Sequence, residues 1–305
     1  MRIVVTGGAG FIGSSFVNLL DRYSNDHDIF DIIVVDKLTY ASNPERLPDT
    51  VDLIEKDICD LTKEDIGEVD YIVNFAAESH VDNSIYGGRP FMETNVMGTF
   101  NLLEIAQEMR YLQKFVQIST DEVYGDLNDS AKSNQFSKEG DVLKPSSYYS
   151  SSKAAADQIV MSAGRTYGIP YLITRTCNNY GRHQHLEKFL PTVMECISED
   201  MPVPLYGDGG QIREWIWVED NVKIILDLMI SEIGIWNIGS GDRYTNKEIL
   251  KCIGEILGKP VKFNNVTDRL GHDRRYGLNC DRLHSHMGKD LTTINLIEYL
   301  QTELL

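Results

Sequence analysis

Cysteine is scarce in this sequence of 305 residues, and no two cysteines stand close together. Cys59, Cys177, Cys196, Cys252 and Cys280 are spread along the chain. Structural zinc sites and redox dithiols need cysteines a few residues apart. We therefore expect five buried, reduced thiols and no metal site.

Positive charge is also in short supply. Lys and Arg together number 29 against 46 Asp and Glu, which gives a formal net charge of -17. Binding to nucleic acid or to an anionic membrane requires a cationic face, so neither partner is expected. A phosphorylated metabolite needs only a few local cations, and Lys188, Arg213, Arg274 and Arg275 can supply them.

Long apolar runs are missing as well. No stretch approaches the roughly 20 residues that span a bilayer. The first residues, MRIVVTG, begin as a strand and lack the basic and then apolar segments of a leader peptide. We therefore expect a cytoplasmic protein.

Short apolar runs do recur, with amphipathic helical stretches between most of them. They are rich in Val and Ile without strict alternation, which is typical of parallel strands covered on both faces. The pattern predicts an α/β fold with a doubly wound parallel sheet of Rossmann type. The predicted strands are residues 3–5, 31–36, 51–57, 70–77, 114–120 and 170–176.

A glycine-rich turn, TGGAGFIG, follows the first strand. Gly7, Gly10 and Gly13 allow a tight turn, a close approach of the backbone to a pyrophosphate, and close packing of helix on strand. Phe11 and Ile12 open the helix, whose N-terminus faces the phosphates. The turn therefore predicts a dinucleotide site.

An acidic residue, Asp36, ends the second strand. A carboxylate there accepts hydrogen bonds from ribose hydroxyls and repels a 2′-phosphate, so we predict NAD and not NADP as the cofactor. Lys37, next to it, is included in the predicted site. Further cofactor contacts are expected from Asp57 and Ile58 after the third strand, and from Ala76 and Ala77 after the fourth.

The domain boundary is expected where the strand and helix rhythm changes, after residue 176. Residues 1–176 form the predicted NAD-binding domain, rejoined by about 214–240. Residues 177–213 and 241–305 form a second, smaller mixed α/β domain for the substrate.

Two polar segments carry candidate catalytic residues. STDEVYG ends the fifth strand, where doubly wound sheets place ligand-binding loops. In SSYYSSSK, Tyr149 and Lys153 are four residues apart and share one face of a predicted helix. An ammonium group beside a phenol stabilises the phenolate, which makes Tyr149 a usable base.

Together these motifs resemble the extended short-chain dehydrogenase/reductase family, and specifically the nucleoside-diphosphate-glucose 4,6-dehydratases. Related epimerases and decarboxylases share the Tyr and Lys, whereas Asp followed by Glu directly after the Thr is similar to the dehydratase pattern. The resemblance covers nearly the whole chain. Its motifs are TGGAGFIG, DKLTYASN, FAAESHVDNSI, NVMGT, STDEVYG, YYSSSK, NNYG, EKF, GDGGQIREW, NIGSG and DRLGHDRRY.

The resemblance implies a mechanism as well as a fold. Tyr149 takes the proton of the sugar 4-hydroxyl, with Thr120 hydrogen-bonded to that oxygen, while a hydride leaves carbon 4 for NAD. Glu122 then removes the hydrogen on carbon 5, and protonated Asp121 donates to the departing 6-hydroxyl. The hydride then returns to carbon 6 and a proton to carbon 5, so the product is a 4-keto-6-deoxy sugar.

The resemblance also implies substrate contacts and assembly. Arg213 is the best candidate for phosphate because a guanidinium binds phosphate oxygens bidentately, whereas Arg274 and Arg275 are expected in surface ion pairs. A homodimer is implied, with helices around 93–110 and 151–168 at its interface. Diphosphate and nucleoside contacts are implied for Asn178 or Asn179, Lys188, Arg213 and His272, and contacts near the sugar or nicotinamide for Glu78, Ser79 and His80.

Several residues depart from the common bacterial pattern. Asn83 stands where Arg is usual, and Arg182 and Leu186 stand where prolines are typical. Asn83 and YASN look like eukaryotic and viral UDP-glucose enzymes, whereas QIREW and GHDRRY look like bacterial dTDP-glucose enzymes. The expected nucleotide sugar is dTDP-glucose, with UDP-glucose as the alternative. A 4-epimerase and a non-catalytic NAD-binding regulatory protein are the more distant alternatives.

Overall fold

The computed structural model of the protein describes residues 1–27, 30–127, 135–289 and 291–305. The strands are β1 Arg2–Thr6, β2 Asp31–Asp36, β3 Asp52–Glu55, β4 Tyr71–Asn74, β5 Lys114–Thr120, β6 Tyr171–Thr176, β7 Asn178–Tyr180, β8 Val203–Tyr206, β9 Ile212–Trp217, β10 Gly234–Ile238, β11 Arg243–Thr245 and β12 Phe263–Val266. The helices are α1 Phe11–His27, α2 Lys63–Ile66, α3 Val81–Tyr86, α4 Arg89–Phe91, α5 Thr99–Glu108, α6 Tyr148–Tyr167, α7 Phe189–Ser198, α8 Val218–Ser231, α9 Asn246–Leu257, α10 Asp281–Met287 and α11 Leu296–Leu304. A π-helical segment, Met92–Gly98, joins α4 to α5, and 3₁₀ turns span Pro44–Arg46 and Asp121–Tyr124.

A large parallel sheet is built from seven strands of the described chain, in the order β10, β6, β5, β4, β1, β2, β3. All six predicted strands are present, and β2 and β5 have the predicted bounds. The strand order reverses between β1 and β4, both of which follow the same direction. This reversal opens a crevice at the carboxyl ends of the strands, where such sheets bind ligands.

Helices cover both faces of this sheet. On one face, Phe16 and Val17 of α1 and Val222 and Ile225 of α8 belong to one core cluster. On the other face, Leu102 of α5 belongs to a second cluster with residues of α6. Burial on both sides explains the continuous Val and Ile runs. The predicted doubly wound fold is confirmed.

A smaller mixed part lies beside the sheet and is formed mostly by the C-terminal half of the chain. Strands β11, β9 and β7 form one small sheet, and β12 pairs with β8 in another. Helices α7, α9 and α11 contribute to a third core cluster around Trp215. Between these segments α8 packs against α1, and β10 pairs with β6, so the chain returns to the large sheet before leaving it again.

The thiols differ from expectation in part. Cys177, Cys196 and Cys280 are buried, whereas Cys59 and Cys252 are half-buried, so the prediction of five buried thiols is wrong for these two. In the described ranges, no helix is long and apolar enough to cross a membrane. The same ranges contain no cluster of three side chains able to ligate a metal ion.

Candidate active site

A cavity of about 350 Å³ lies along the carboxyl ends of the central strands. It runs from the glycine turn after β1 to the start of α6 and on to α7. Most of the residues predicted from the sequence lie on its wall, whereas Asp57, His80, Arg213 and His272 do not. The predicted residues on the wall are Gly7, Gly10, Phe11, Ile12, Gly13, Asp36, Lys37, Ile58, Ala76, Ala77, Glu78, Ser79, Thr120, Asp121, Glu122, Tyr149, Lys153, Asn178, Asn179 and Lys188.

Backbone atoms leave no room for a side chain at two positions of the glycine turn. Gly7 has φ +67°, and a Cβ on it would lie 2.5 Å from the Ala76 backbone nitrogen. A Cβ on Gly13 would lie 2.2 Å from the Gly7 oxygen. The turn is therefore closely packed on β4, and the start of α1 is exposed to the cavity, as a pyrophosphate requires.

Substitution of Gly13 by Ala is expected to destabilise the fold by about 1–3 kcal/mol, since backbone atoms must move to admit the Cβ. Bound dinucleotide should be lost as well. Thermal melting and the nucleotide content of the purified protein measure both. Gly10→Ala should have a smaller effect, because its Cβ meets only the Gly7 oxygen at 3.2 Å, and Gly140→Ala none, because nothing lies within 4 Å of its Cβ. Equal effects for Gly13→Ala and Gly140→Ala would contradict this account of the turn.

Asp36 is buried at the end of β2 and already accepts three hydrogen bonds from the chain. Its Oδ2 accepts from Ala9 N at 3.0 Å, and its Oδ1 from Leu38 N at 2.9 Å and Ser42 Oγ at 2.8 Å. A carboxylate offers about four acceptor positions, so one remains on Oδ2 for a ribose hydroxyl. The carboxylate fits a dinucleotide and leaves no place for a 2′-phosphate.

Lys37 is held by other side chains and does not offset the charge of Asp36. Its Nζ donates to Thr94 Oγ1 at 2.9 Å and lies 3.3 Å from Glu78 and 3.6 Å from Asp57. Asp57 lies outside the cavity wall, so it acts on the cofactor site only through its ion pair with Lys37. With its ammonium group already engaged, Lys37 does not favour NADP.

The acid pair is carried by a 3₁₀ turn that Thr120 caps at the end of β5. Glu122 N donates to Thr120 Oγ1 at 3.3 Å, and Thr120 Oγ1 donates to Asp121 Oδ1 at 3.2 Å. The Asp121 side chain is buried, and its Oδ2 has no hydrogen-bond partner. Glu122 is half-buried on the cavity wall.

The two carboxyls have different electrostatic environments. Burial, with the charges of Glu122 and Glu214, raises the pKa of Asp121 well above its ordinary value. Burial also raises the pKa of Glu122, but the positive charges of Arg213, Arg269 and Lys188 oppose that rise. The protonated form is thus more strongly favoured at Asp121 than at Glu122, which is the division of tasks that an acid and a base need.

Tyr149 and Lys153 lie on the first turns of α6, as the sequence predicted. Ser147 caps the helix by accepting from Ser150 N at 3.0 Å. Lys153 is buried, its Nζ donates to Ile118 O at 2.6 Å, and burial lowers its pKa to about 8. Its ammonium form therefore persists at neutral pH and is lost as the pH rises through about 8.

The expectation that Lys153 draws the pKa of Tyr149 down is wrong for the protein by itself. Burial raises the pKa of the Tyr149 phenol, and so do the charges of Glu122 and Asp121. A side-chain hydrogen bond with Thr120 lowers it, but not enough to reverse the shift. Loss of the phenol proton therefore needs positive charge close to the ring.

The far side of the site carries cations from the smaller part of the chain. Lys188 Nζ donates to Ser79 O at 3.1 Å, which joins that part to the loop after β4. The buried Arg213 guanidinium donates to Ile212 O and Asp273 O, both at 2.9 Å, and its charge acts on both members of the acid pair.

His272 is neutral at physiological pH. Burial lowers its pKa to about 4, and the charge of Arg269 adds to that effect. Its Nδ1 lies 2.5 Å from Asp268 Oδ1. His80, in the loop after β4, lies 4.0 Å from Glu187 and leaves its Nδ1 without a hydrogen bond.

The two candidate asparagines have different surroundings. The Asn179 amide is used inside the protein, where it donates to Cys177 O at 3.0 Å and accepts from Asn221 Nδ2 at 2.8 Å. Asn178 is half-buried on the cavity wall. Its side chain is therefore the better placed of the two for a ligand.

The two neighbouring arginines differ as well. Arg274 forms the expected ion pair, with Asp208 at 2.5 Å. Arg275 donates to Gln135 O and is buried, so the expected place at the surface is wrong for it.

Sequence reasoning missed Arg269. Its charge acts on Glu122 and on His272, it lies 3.5 Å from Asp82, and its buried Nε has no hydrogen-bond partner. It stands three residues before His272 in the motif DRLGHDRRY, so the signal was present. It was overlooked because an arginine in a polar loop is usually solvated.

Fold and site together define a Rossmann-type dinucleotide enzyme with a Tyr and Lys pair on a helix and an acid pair at the end of the neighbouring strand. A family model described as the NAD dependent epimerase/dehydratase family matches residues 3–239. The chain belongs to this family, and its cofactor is NAD. The resemblance noted in the sequence is confirmed.

Individual relatives are similar over most of their length. The chain is 44% identical to the low-salt glycan biosynthesis protein Agl12 of Haloferax volcanii, over 92% of this chain and 91% of that one. It is 41% identical to the dTDP-glucose 4,6-dehydratase of Haemophilus influenzae, over 94% and 92%. The crystal structure of DesIV, a dTDP-glucose 4,6-dehydratase from Streptomyces venezuelae with NAD and TYD bound, matches with a TM-score of 0.91 at 38% identity, over 99% of this chain and 95% of that chain.

Proposed function

We propose that the protein is a hydro-lyase that converts dTDP-glucose to dTDP-4-keto-6-deoxyglucose, with NAD retained as an internal hydride carrier. The observation that supports it most directly is the acid pair. Asp121 and Glu122 stand beside Tyr149 in one cavity, in environments that favour a proton on the first more than on the second. The similarity to two dTDP-glucose 4,6-dehydratases points the same way.

The chain's own residues suit NAD. The pyrophosphate would lie against the turn of Gly7, Gly10 and Gly13 and the helix start at Phe11 and Ile12. A ribose would reach Asp36, and the adenine Ile58. Ala76 and Ala77 would leave room for the dinucleotide, and Tyr149 and Lys153 would lie at its reacting end. When bound, oxidised NAD would supply a hydride acceptor for carbon 4, a hydride donor for carbon 6, and the positive charge of its nicotinamide ring.

Proton movements are assigned to three side chains, which Lys153 and Thr120 assist. Tyr149 accepts the proton of the 4-hydroxyl, helped by the ammonium of Lys153, and Thr120 holds the same oxygen. The resulting ketone acidifies the hydrogen on carbon 5, which Glu122 removes. Asp121 gives its proton to the 6-hydroxyl, which leaves as water. Glu122 finally returns its proton to carbon 5, Tyr149 releases the proton it took from the 4-hydroxyl, and Asp121 takes up one proton, so that all three side chains regain their starting states.

A 4-epimerase has no use for the acid pair, because it breaks no carbon–oxygen bond. In an epimerase, a buried carboxyl with a raised pKa would only destabilise the folded protein, since burying an unpartnered polar atom is unfavourable. The unpartnered Asp121 Oδ2 therefore favours dehydration. A non-catalytic NAD binder would require neither the acid pair nor a base at Tyr149.

Mass spectrometry of the product tests the proposal. Purified protein incubated with dTDP-glucose should give a product lighter by one water. With UDP-glucose the same loss of water should be slower or absent. An isobaric product would replace dehydration by epimerisation. Absence of turnover with both sugars, in protein shown to contain NAD, would leave only the binding role.

Substrate contacts are proposed for the cations on the far side of the site. Arg213 and Lys188 would bind the diphosphate. Ser79, His80 and Glu78 would lie near the sugar, and His272 would act as a neutral hydrogen-bonding group near the nucleoside, because it has lost its proton at pH 7. Asn178 would complete this set. We also propose that residues 1–176, rejoined by about 214–240, form the NAD-binding domain and that residues 177–213 and 241–305 form the substrate domain.

A homodimer is proposed through the face formed by the helices around 93–110 and 151–168. Met97 and Phe100 are 55% and 42% exposed there, which is much for apolar side chains on a helix. Sedimentation should give twice the chain mass of 34.5 kDa, and Phe100→Glu should give monomers. A wild-type monomer at micromolar concentration would overturn this.

We also propose a cytoplasmic location, consistent with five free cysteines, to be tested by cell fractionation.

A further inference from the structure

A column of side chains at four-residue spacing runs along α6 beneath the active site. Tyr149, Lys153 and Asp157 are at i, i+4 and i+8 and so share one face of the helix. Lys153 and Asp157 are 3% and 0% exposed. The mechanism above uses the first two and gives no task to the third.

Asp157 is joined to the turn that carries the acid pair. Its Oδ2 accepts from Arg175 Nε at 2.9 Å, and Arg175 Nη1 donates to the Tyr124 hydroxyl at 2.9 Å. Tyr124 lies in the 3₁₀ turn of Asp121–Tyr124 and donates in turn to Asn237 Oδ1 at 2.7 Å. This buried chain therefore connects the helix of Tyr149 and Lys153 to the turn of the two carboxyls.

Lys153 has no carboxylate in direct contact among the described residues, although it is buried. Its Nζ donates to a backbone carbonyl, which carries only a partial charge. Asp157 has an oxygen, Oδ1, without a hydrogen-bond partner. An unpaired buried ammonium is costly, and a carboxylate one helical turn away reduces that cost.

We propose that Asp157 is a positioning residue whose negative charge keeps Lys153 protonated at working pH, while its bond to Arg175 holds the Tyr and Lys pair against the acid pair. The inference rests on the proposed function for its kinetic consequence. Burial lowers the pKa of Lys153 to about 8, and Asp157 is the group that opposes this shift.

Other charged groups on neighbouring elements do not replace Asp157. On the turn, Asp121 favours its protonated form, and Glu122 is partly balanced by Arg213 and Arg269. From β6, Arg175 is the ion-pair partner of Asp157, at 2.9 Å. On the helices before α6, Arg89 and Glu93 pair with each other at 3.2 Å and are exposed.

The test is the alkaline limb of the kcat against pH profile. Asp157→Asn should move this limb to lower pH by about one unit, because the negative charge that favours the Lys153 ammonium is removed. Arg175→Met should keep the limb at higher pH than in Asp157→Asn, because Asp157 then has Lys153 as its cation. A purely structural role would lower kcat at every pH in both variants without separating the limbs.

A second comparison applies if Asp157→Asn does not fold. The double variant Asp157→Asn, Arg175→Met replaces the buried pair by neutral side chains, which proteins often tolerate. Its limb should lie below that of Arg175→Met alone. Coincident limbs in these two variants would overturn the inference.

A direct titration separates this inference from the proposed function. The ε-amino signal of Lys153, followed by nitrogen NMR and assigned with Lys153→Arg, should titrate near pH 8 in wild type and at lower pH in Asp157→Asn. This measurement needs no substrate. If no sugar nucleotide is turned over, the proposed function fails while the titration still decides the role of Asp157, and an unchanged Lys153 titration would reject it.

Discussion

Replacement of Tyr149 by Phe is expected to lower kcat by about 10³, the usual contribution of a positioned general base. The ring remains and only the hydroxyl is lost, so folding and NAD content should be unchanged. The phenol is the group on α6 that can take the 4-hydroxyl proton, and no step of the dehydration can precede that transfer. Product formation, followed by mass, and the nucleotide content of the protein are the two measurements.

A matched control stands next to it in the chain. Tyr148 precedes Tyr149 on the same helix but is 59% exposed and lies outside the cavity wall. Tyr148→Phe removes the same hydroxyl and should leave kcat unchanged. If the two variants behaved alike, the assignment of the base to Tyr149 would have to be abandoned.

The large sheet could be predicted because the physics that builds it is local. Strands such as β1 and β2 are buried on both faces, and their unbroken Val and Ile runs record that burial. The glycine turn was likewise readable, because Gly7 needs a positive φ and Gly13 has no room for a Cβ. Such requirements act on single positions and therefore leave a mark in the sequence.

The electrostatics of the site could not be predicted in the same way. The sequence placed Tyr149 and Lys153 on one helical face, but the pKa of each depends on burial and on charges that arrive from distant segments. Glu122 raises the pKa of Tyr149, and Arg213 acts on both acids from β9. Spacing along the chain contains none of these distances.

The same reason explains the missed contacts. Arg269 reaches Glu122 from a loop 147 residues further along the chain, a separation over which no periodicity extends. Asn179 was a candidate ligand from its motif, yet its amide is bonded within the protein to Cys177 and Asn221. A motif fixes which residue type is present, whereas the packing of the fold decides which of its atoms remain free.

The acid pair should give the most specific result of all, because the two carboxyls act after oxidation at carbon 4. Asp121→Asn and Glu122→Gln are each expected to lower dehydration by about 10²–10³ while the first proton transfer, at Tyr149, still occurs. The 4-ketone should then accumulate on the enzyme with reduced NAD, which its near-ultraviolet absorbance reports. Tyr149→Phe should show no such absorbance.

The two acid variants are expected to differ in how readily the hydrogen on carbon 5 exchanges with deuterium from the solvent. Without the base, Glu122→Gln should lose exchange of the hydrogen on carbon 5. Asp121→Asn keeps Glu122, so this hydrogen should still exchange with solvent although water is not expelled. Asp49→Asn, an exposed carboxyl outside the cavity wall, is the control and should behave as wild type. Exchange that survives in Glu122→Gln but disappears in Asp121→Asn would reverse the two roles. Normal dehydration in both variants would remove the acid pair from the mechanism. Elimination at neutral pH needs a proton carrier at carbon 5 and another at the 6-hydroxyl, and other groups would then have to supply them.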